Sequence, residues 1–328
     1  MFKFIAKRII IAPILLVFSS LLIFFMINLT PVDPATQMLV GNYTQEQVDA
    51  LHEELGLDDP ILVQYGRWLW NVLHGDFGKT YTSDRSPVAQ EVIPRIPTSL
   101  KLALITICVV IIIGLPLGVL CAVKQYSVAD TLINLVSKVL GSVPQFLVGL
   151  LLLLLFGVKL KWLPTYGFTS PKHLILPVAT LALPQIATYV RTTRSSMLDC
   201  IRKDYIRTAK AKGATPQVVI FRDALKNAML PLITMTGTEF AKLIGGAIVV
   251  ENVFAIPGLG SRVILAINQK DIPTTLCCVL FLSIFFILAT LIMDILYMVV
   301  DPRVKSTIAG GGKKKQKAPQ QKTEGSAA

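Results

Sequence analysis

Arg191-Thr-Thr-Arg-Ser-Ser-Met-Leu-Asp-Cys-Ile-Arg-Lys-Asp-Tyr-Ile-Arg-Thr-Ala-Lys-Ala-Lys-Gly-Ala-Thr-Pro216, continuing from Gln217 to Pro231, holds nine Lys/Arg against three Asp. The chain on either side of it is apolar. A basic island between two membrane spans belongs on the cytoplasmic face. Two helix-prone runs, broken at Gly213 and Pro216, give the island more order than a solvated loop has.

The composition agrees with that frame. Of 328 residues, 53% are hydrophobic and 16% charged, and the mean hydropathy is +0.63. A soluble domain carries about a quarter of charged residues, so this is an integral membrane protein. The net charge of +12 sits in short segments flanking apolar runs, a pattern of membrane orientation and not of a nucleic-acid surface. The five cysteines have no ligand-like spacing; they read as packing residues and indicate no disulfide framework.

Working outward from the island, the uncharged runs 174–190 and 228–250 flank it, the second interrupted by Glu239 and Lys242. Further runs at 9–29, 102–123, 139–158 and 272–293 bring the expected number of spanning helices to six. The run 9–29 exceeds the apolar core of a signal peptide and lacks a small-x-small cleavage site, so it is expected to stay as the first span. Pro144, Pro177 and Pro184 predict kinks. With residues 1–8 in the cytoplasm, 21 of the 32 Lys/Arg fall on the cytoplasmic side and nine outside, which places both termini inside.

Residues 30–101 form an extracytoplasmic lobe. Thr44 and Gln47 predict a capping box and Gly56 a helix end, while 62–73, with Trp68 and Trp70, predicts a second helix. The spanning part is 102–300, with the loop 191–230 inside it, and 301–328 is a Gly- and Lys-rich tail expected to be disordered.

Enzyme chemistry finds no foothold. Gly312-Lys313 lacks the upstream glycine of a nucleotide-binding loop, His52, His74 and His173 have no metal-ligand spacing, and no nucleophile elbow occurs. No metal site is expected. Glu239 and Lys242 stand out, because a lipid-facing charge at a span centre costs about 2.5–3.5 kcal/mol. Two readings stand for them: an intrahelical pair at i and i+3, or contacts lining a pathway. Gly245-Gly246 predicts a close helix approach.

Asp204-Tyr-Ile-Arg-Thr-Ala-Lys-Ala-Lys-Gly213, followed by Arg222-Asp-Ala-Leu-Lys-Asn-Ala-Met-Leu-Pro231, resembles the loop motif of the inner-membrane permeases of ATP-binding-cassette importers, in the dipeptide/oligopeptide/nickel branch. Gly56-Leu-Asp-Asp-Pro60 with Gln64-Tyr65, Gly75-Asp-Phe-Gly78, Glu251-Asn-Val-Phe-Ala-Ile-Pro-Gly-Leu-Gly260 and Asp301-Pro-Arg303 agree with it. Departures are Pro31-Val-Asp-Pro34, where the family has glycine second, and Arg207-Thr-Ala209, where the general importer motif reads Glu-Ala-Ala.

The resemblance implies an all-α membrane fold of the type I importer permease, with six spanning helices and a small helical lobe. It also implies a bacterial inner-membrane location. The implied partners are a second homologous permease, two ATPase subunits and an extracytoplasmic substrate-binding protein. ATP and Mg would be bound by those ATPases, leaving this chain without a cofactor. Asp204, Tyr205, Arg207, Ala209, Lys212, Gly213 and Pro231 are the implied ATPase-coupling residues. For Glu251, Phe254, Pro257, Gly258 and Gly260 a binding-protein contact or outer gate and a turn that only packs both stand.

The coupling helix is expected over 201–212, about 18 Å long at ~1.5 Å per residue, with Ile201, Tyr205, Thr208 and Lys212 on one face. Peptides are the implied solute. Nickel or metal chelates within the same family, and a stand-alone secondary transporter or channel outside it, are the alternatives.

Overall fold

Proline and glycine decide where these helices stop and how closely they approach. The structure, a computed structural model, describes residues 2–29, 33–39 and 43–300. The tail expected at 301–328, with Asp301-Pro-Arg303, lies outside the described residues, as do Pro31 and Val32 of the Pro31–Pro34 stretch. Among the described residues the regular structure is helical, apart from one isolated bridge between Lys79 and Pro87.

Helix α1 (Phe2–Asn28) lies against the outside of the bundle and precedes the lobe, made of α2 (Pro34–Met38), α3 (Gln45–Leu55), α4 (Ile61–Leu73) and α5 (Val88–Val92). The local signals work as expected. The Gln47 side chain accepts from the Thr44 N–H at 3.0 Å, and Gly56 ends α3 at φ 65°, a conformation that suits glycine. Tyr65 docks α4 against α1, its hydroxyl donating to the Val17 carbonyl at 3.0 Å and lying 2.8 Å from Ser20 Oγ. Trp68 packs beside Tyr65, whereas Trp70 is exposed. Among the described residues the lobe packs on the bundle: Val88 and Val92 are buried with Leu259, Val263, Cys277 and Cys278.

The remaining long helices are α6 (Ile96–Val123), α7 (Val128–Ser142), α8 (Gln145–Leu152, extended by a π-helical turn over Leu153–Lys159), α9 (Lys172–Ile201), α11 (Leu225–Val253, preceded by a π-helical turn over Val218–Ala224) and α13 (Ile272–Val300). Between them lie the short α10 (Asp204–Ala211) and α12 (Leu259–Asn268). By length and composition five helices can cross a membrane, or six if the bent α7–α8 pair is one span.

That bend corrects the sequence reading of 139–158 as one continuous span. The α7–α8 pair turns by 104° at Val143-Pro144. Proline keeps the preceding residue out of the helical region, and Val143 is extended at φ −83°, ψ 130°. Ser127, whose hydroxyl accepts from the Asp130 N–H, starts α7 well before the expected position. Pro177 and Pro184 lie within an unbroken α9.

Helices α6 and α9 form the closest pairing, made by glycines outside the expected pair. A Cβ on Gly114 would sit 2.7 Å from Tyr189 Cβ, and one on Gly118 would sit 2.4 Å from Thr193 Cβ. At Gly245 such an atom would meet nothing within 4 Å, while at Gly246 it would meet the Gln145 amide oxygen at 3.2 Å. Gly118→Ala is therefore expected to destabilise by about 1–3 kcal/mol, the range for overpacking. Gly245→Ala should be near neutral. Thermal unfolding of the two purified variants checks the contrast; equal midpoints would mean that the α6–α9 approach is looser than this.

Candidate functional site

At the bundle end opposite the lobe, α9 continues unbroken through the first part of the basic island to Ile201. Lys203 then turns extended at φ −76°, ψ 152°, and α10 begins at Asp204, whose carboxylate suits a helix N-terminus. The helix ends after eight residues, and Gly213 reverses the chain at φ 85°. It is thus about 12 Å long at ~1.5 Å per residue, shorter than the 201–212 helix the sequence suggested.

Its inward face, which the sequence left open, is set by one residue. Ile206 is completely buried among Val119, Met197, Val219, Ala224 and Ala228, with Ala209 partly buried beside it. Tyr205, Arg207, Thr208, Lys210, Lys212 and Gly213 are exposed. Tyr205 and Thr208, expected on one face, share the exposed one, and the apolar anchor is the single isoleucine.

Asn227 Nδ2 donates to Tyr205 Oη at 3.4 Å, tying α10 to α11. Partial burial, then the Cys200 contact, pushes the Tyr205 phenol up from its ordinary range. Pro231 is exposed on α11.

A pair the sequence did not suggest braces this end. Arg194 Nε and Nη2 donate to the two oxygens of Asp130 at 2.7 and 2.8 Å, joining α9 to α7. Asp130 also accepts from the Tyr126 N–H and from Asn134 Nδ2. The fork geometry matches a carboxylate bidentately. Only the acid in the first turn of α7 could have signalled it.

At the lobe end, Glu251 is fully buried near the end of α11 and organises the turn that follows. One of its oxygens accepts from Ser99 Oγ at 2.5 Å; the other accepts from the Gly260 and Ser261 N–H groups at 2.8 and 3.1 Å, at the start of α12. A carboxylate there satisfies orphan donors and complements the helix dipole. The glycines fit it closely: a Cβ on Gly258 would lie 2.2 Å from the Glu251 carboxyl carbon, and one on Gly260 would lie 2.4 Å from Ile248 Cα. Phe254 is buried in the core, while Pro257 is exposed. Of this set only Pro257 offers surface; the others build the turn beneath it.

Next to the turn, the buried Arg262 pairs with Glu91 of α5 and lies 3.5 Å from Asp271. Asp271 is fully buried and accepts from the Tyr81 N–H at 3.0 Å, so this cluster joins the lobe, α12 and the start of α13. Burial pushes the Asp271 carboxyl up from its usual range and the Tyr81 phenol up to about 12.

Within the span, Lys242 Nζ donates to Glu239 Oε1 at 2.8 Å, so the expected i, i+3 pair forms. Its members are unlike: the Glu239 side chain is 9% exposed and that of Lys242 68%. Lys242 borders a cavity of about 490 Å³ between α1, α11 and α13. Among the described residues no group of three or more His, Cys, Asp or Glu is placed to hold a metal ion.

Comparison with known proteins completes the picture. Residues 114–306 match the family described as binding-protein-dependent transport system inner membrane component, and residues 1–103 match its N-terminal family. A putative peptide transport system permease protein of Brucella abortus (strain 2308) is 38% identical over 309 residues, covering 92% of this chain and 98% of the relative. The oligopeptide transport system permease protein AppB of Bacillus subtilis (strain 168) is 36% identical over 315 residues, covering 93% and 100%. The glutathione transport system permease protein GsiC of Salmonella paratyphi A is 39% identical over 308 residues, covering 93% and 99%.

Among solved structures, the methionine ABC transporter MetNI in an inward-facing conformation aligns with a TM-score of 0.54 at 18% identity, over 65% of this chain and 97% of that one. The likeness supports the all-α importer-permease fold. With both family matches spanning nearly the whole sequence, the chain belongs to the binding-protein-dependent transport system inner membrane components.

Proposed function

We propose that this chain is one half of the membrane pathway of a peptide importer and that α10 is the part an ATPase subunit grips. The carrying observation is the geometry of α10: a short helix fixed on one side through Ile206 and free on the other, between the ends of α9 and α11. A rigid helix held this way passes a push from a partner directly into two spanning helices. Names of the relatives, which include peptide, oligopeptide and glutathione permeases, favour a peptide or peptide-like solute.

In this reading both termini and α10 face the cytoplasm, and the lobe with Pro257 faces a substrate-binding protein outside. The complex holds a second homologous permease and two ATPase subunits, which bind ATP and Mg. ATP-driven closure of the ATPases moves α10, and with it α9 and α11, so that the pathway opens to the outer side. Glu251 and the Arg262 cluster keep the outer turn rigid during that movement. Residues Asp204, Tyr205, Arg207, Lys212 and Gly213 form or border the gripped surface, while Ala209 and Pro231 carry the coupling inward.

Reconstitution tests the proposal. Proteoliposomes with both permeases, the ATPases and the binding protein should accumulate a labelled peptide only when ATP is supplied. Accumulation by this chain without ATPases would contradict it and identify a stand-alone transporter.

A further inference from the structure

One exposed face of α11 has an unusual composition for a membrane span. Pro231, Thr234, Thr238, Lys242, Gly245 and Val249 recur every three or four residues and are all exposed, so they form one stripe along the helix. Lys242 lies near the middle of α11. Facing lipid there, its ammonium would cost about 2.5–3.5 kcal/mol. Protein or water must therefore cover the stripe.

Three observations favour a hydrated, ligand-holding face. The Thr234 and Thr238 hydroxyls donate to carbonyls of their own helix, which leaves their oxygens free to accept from water. The space beside Gly245 is open, with nothing within 4 Å of where a Cβ would be. The adjoining cavity of about 490 Å³ is lined mainly by apolar side chains, among them Phe18, Ile248, Leu282 and Phe286, with Lys242 the one cation on its wall among the described residues. A mostly apolar cavity of this size with one charged group is the usual form of a small-molecule site.

Buried Glu239 takes one proton of the Lys242 ammonium and fixes its position. An ammonium has three donors, so two remain to be presented from the exposed side of the residue. An anion is the complementary ligand, and a carboxylate attached to an apolar side chain fits both the charge and the cavity.

We propose that Lys242 binds the carboxylate of the transported solute within the pathway, with the α1–α11–α13 cavity receiving the adjacent apolar side chain. The inference rests on the peptide-import reading above. Lys242 is then a specificity-determining residue that favours solutes ending in a free carboxylate.

The test compares uptake of one apolar peptide as the free acid and as its C-terminal amide, in proteoliposomes holding the complete complex. The binding protein is the same throughout, so a change in the acid-to-amide ratio reports on this chain. Lys242→Met should lower that ratio by about tenfold or more, the lower end for losing a hydrogen bond to a charged group. Lys242→Arg, which keeps the cation, should hold the ratio within about threefold. If Lys242→Met fails to assemble, Lys242→Gln serves in its place, with basal ATP hydrolysis as the check on assembly.

An unchanged ratio in assembled Lys242→Met or Lys242→Gln complexes would overturn the proposal. So would an equal loss of acid and amide uptake, which would mark Lys242 as a contact with the second permease. A wild-type complex that moves neither peptide would instead refute the peptide-import reading.

Discussion

Replacing Glu251 with alanine is expected to destabilise the protein by about 3 kcal/mol or more, because buried donors left unsatisfied cost about 1–3 kcal/mol each. The carboxylate takes three hydrogen bonds, from Ser99 Oγ and the Gly260 and Ser261 N–H groups. Ser99 Oγ in turn accepts from the Leu259 N–H at 2.8 Å, so a fourth donor depends on the same arrangement. Glu251→Gln keeps one carbonyl oxygen and should lose less. Thermal unfolding of the purified variants separates the cases. An alanine variant as stable as the parent would show that the turn between α11 and α12 is held by its glycine packing alone.

The second large effect is at Arg262. Removing one partner of a buried ion pair costs about 3–5 kcal/mol, mainly because the other charge stays buried without compensation. Arg262→Met should do this to Asp271, which has no exposed surface. The double variant Arg262→Met with Asp271→Asn also removes the fully buried charge, leaving only the partly exposed Glu91 without its cation, and should be more stable than Arg262→Met alone. Their effects are then non-additive, as expected for groups in direct contact.

A pH dependence follows with a definite sign. Burial already raises the Asp271 carboxyl above its usual range, and Arg262 opposes that rise. Without Arg262 the folded-state value climbs further above the unfolded one, so protonation favours the folded state. The Arg262→Met defect should be smallest in acid and grow as pH rises through the raised value. A defect independent of pH would place the loss in packing and not in the uncompensated charge.

Much of this molecule is legible in its sequence because its determinants are local. Charge-free runs give the spans, Gly56 the end of α3, and the Asp204–Gly213 motif the position of α10. The i, i+3 spacing of Glu239 and Lys242 gives their pairing. What was missed depends on where distant segments meet. Pro144 reads as a kink, but a turn of 104° needs α7 to lie against α9, held by a bond between Asp130 and Arg194 across 64 positions.

The turn between α11 and α12 shows the same limit. Its glycines and proline read as a turn, whereas the reason for the glutamate is Ser99, 152 positions away. Which side of α10 is buried is set by the pocket that α6, α9 and the start of α11 form around Ile206, not by its own eight residues.

The central claim is that the free face of α10 is where an ATPase subunit docks. A photo-cross-linking amino acid placed singly at positions 205, 206, 208 and 70 in the assembled complex tests it. Tyr205 and Thr208 are exposed on α10, Ile206 is buried beneath it, and Trp70 is exposed on the lobe. Positions 205 and 208 should cross-link to the ATPase, with a yield that changes on adding ATP, while positions 206 and 70 should not. Cross-links to the ATPase from position 70, with none from 205 or 208, would contradict the claim.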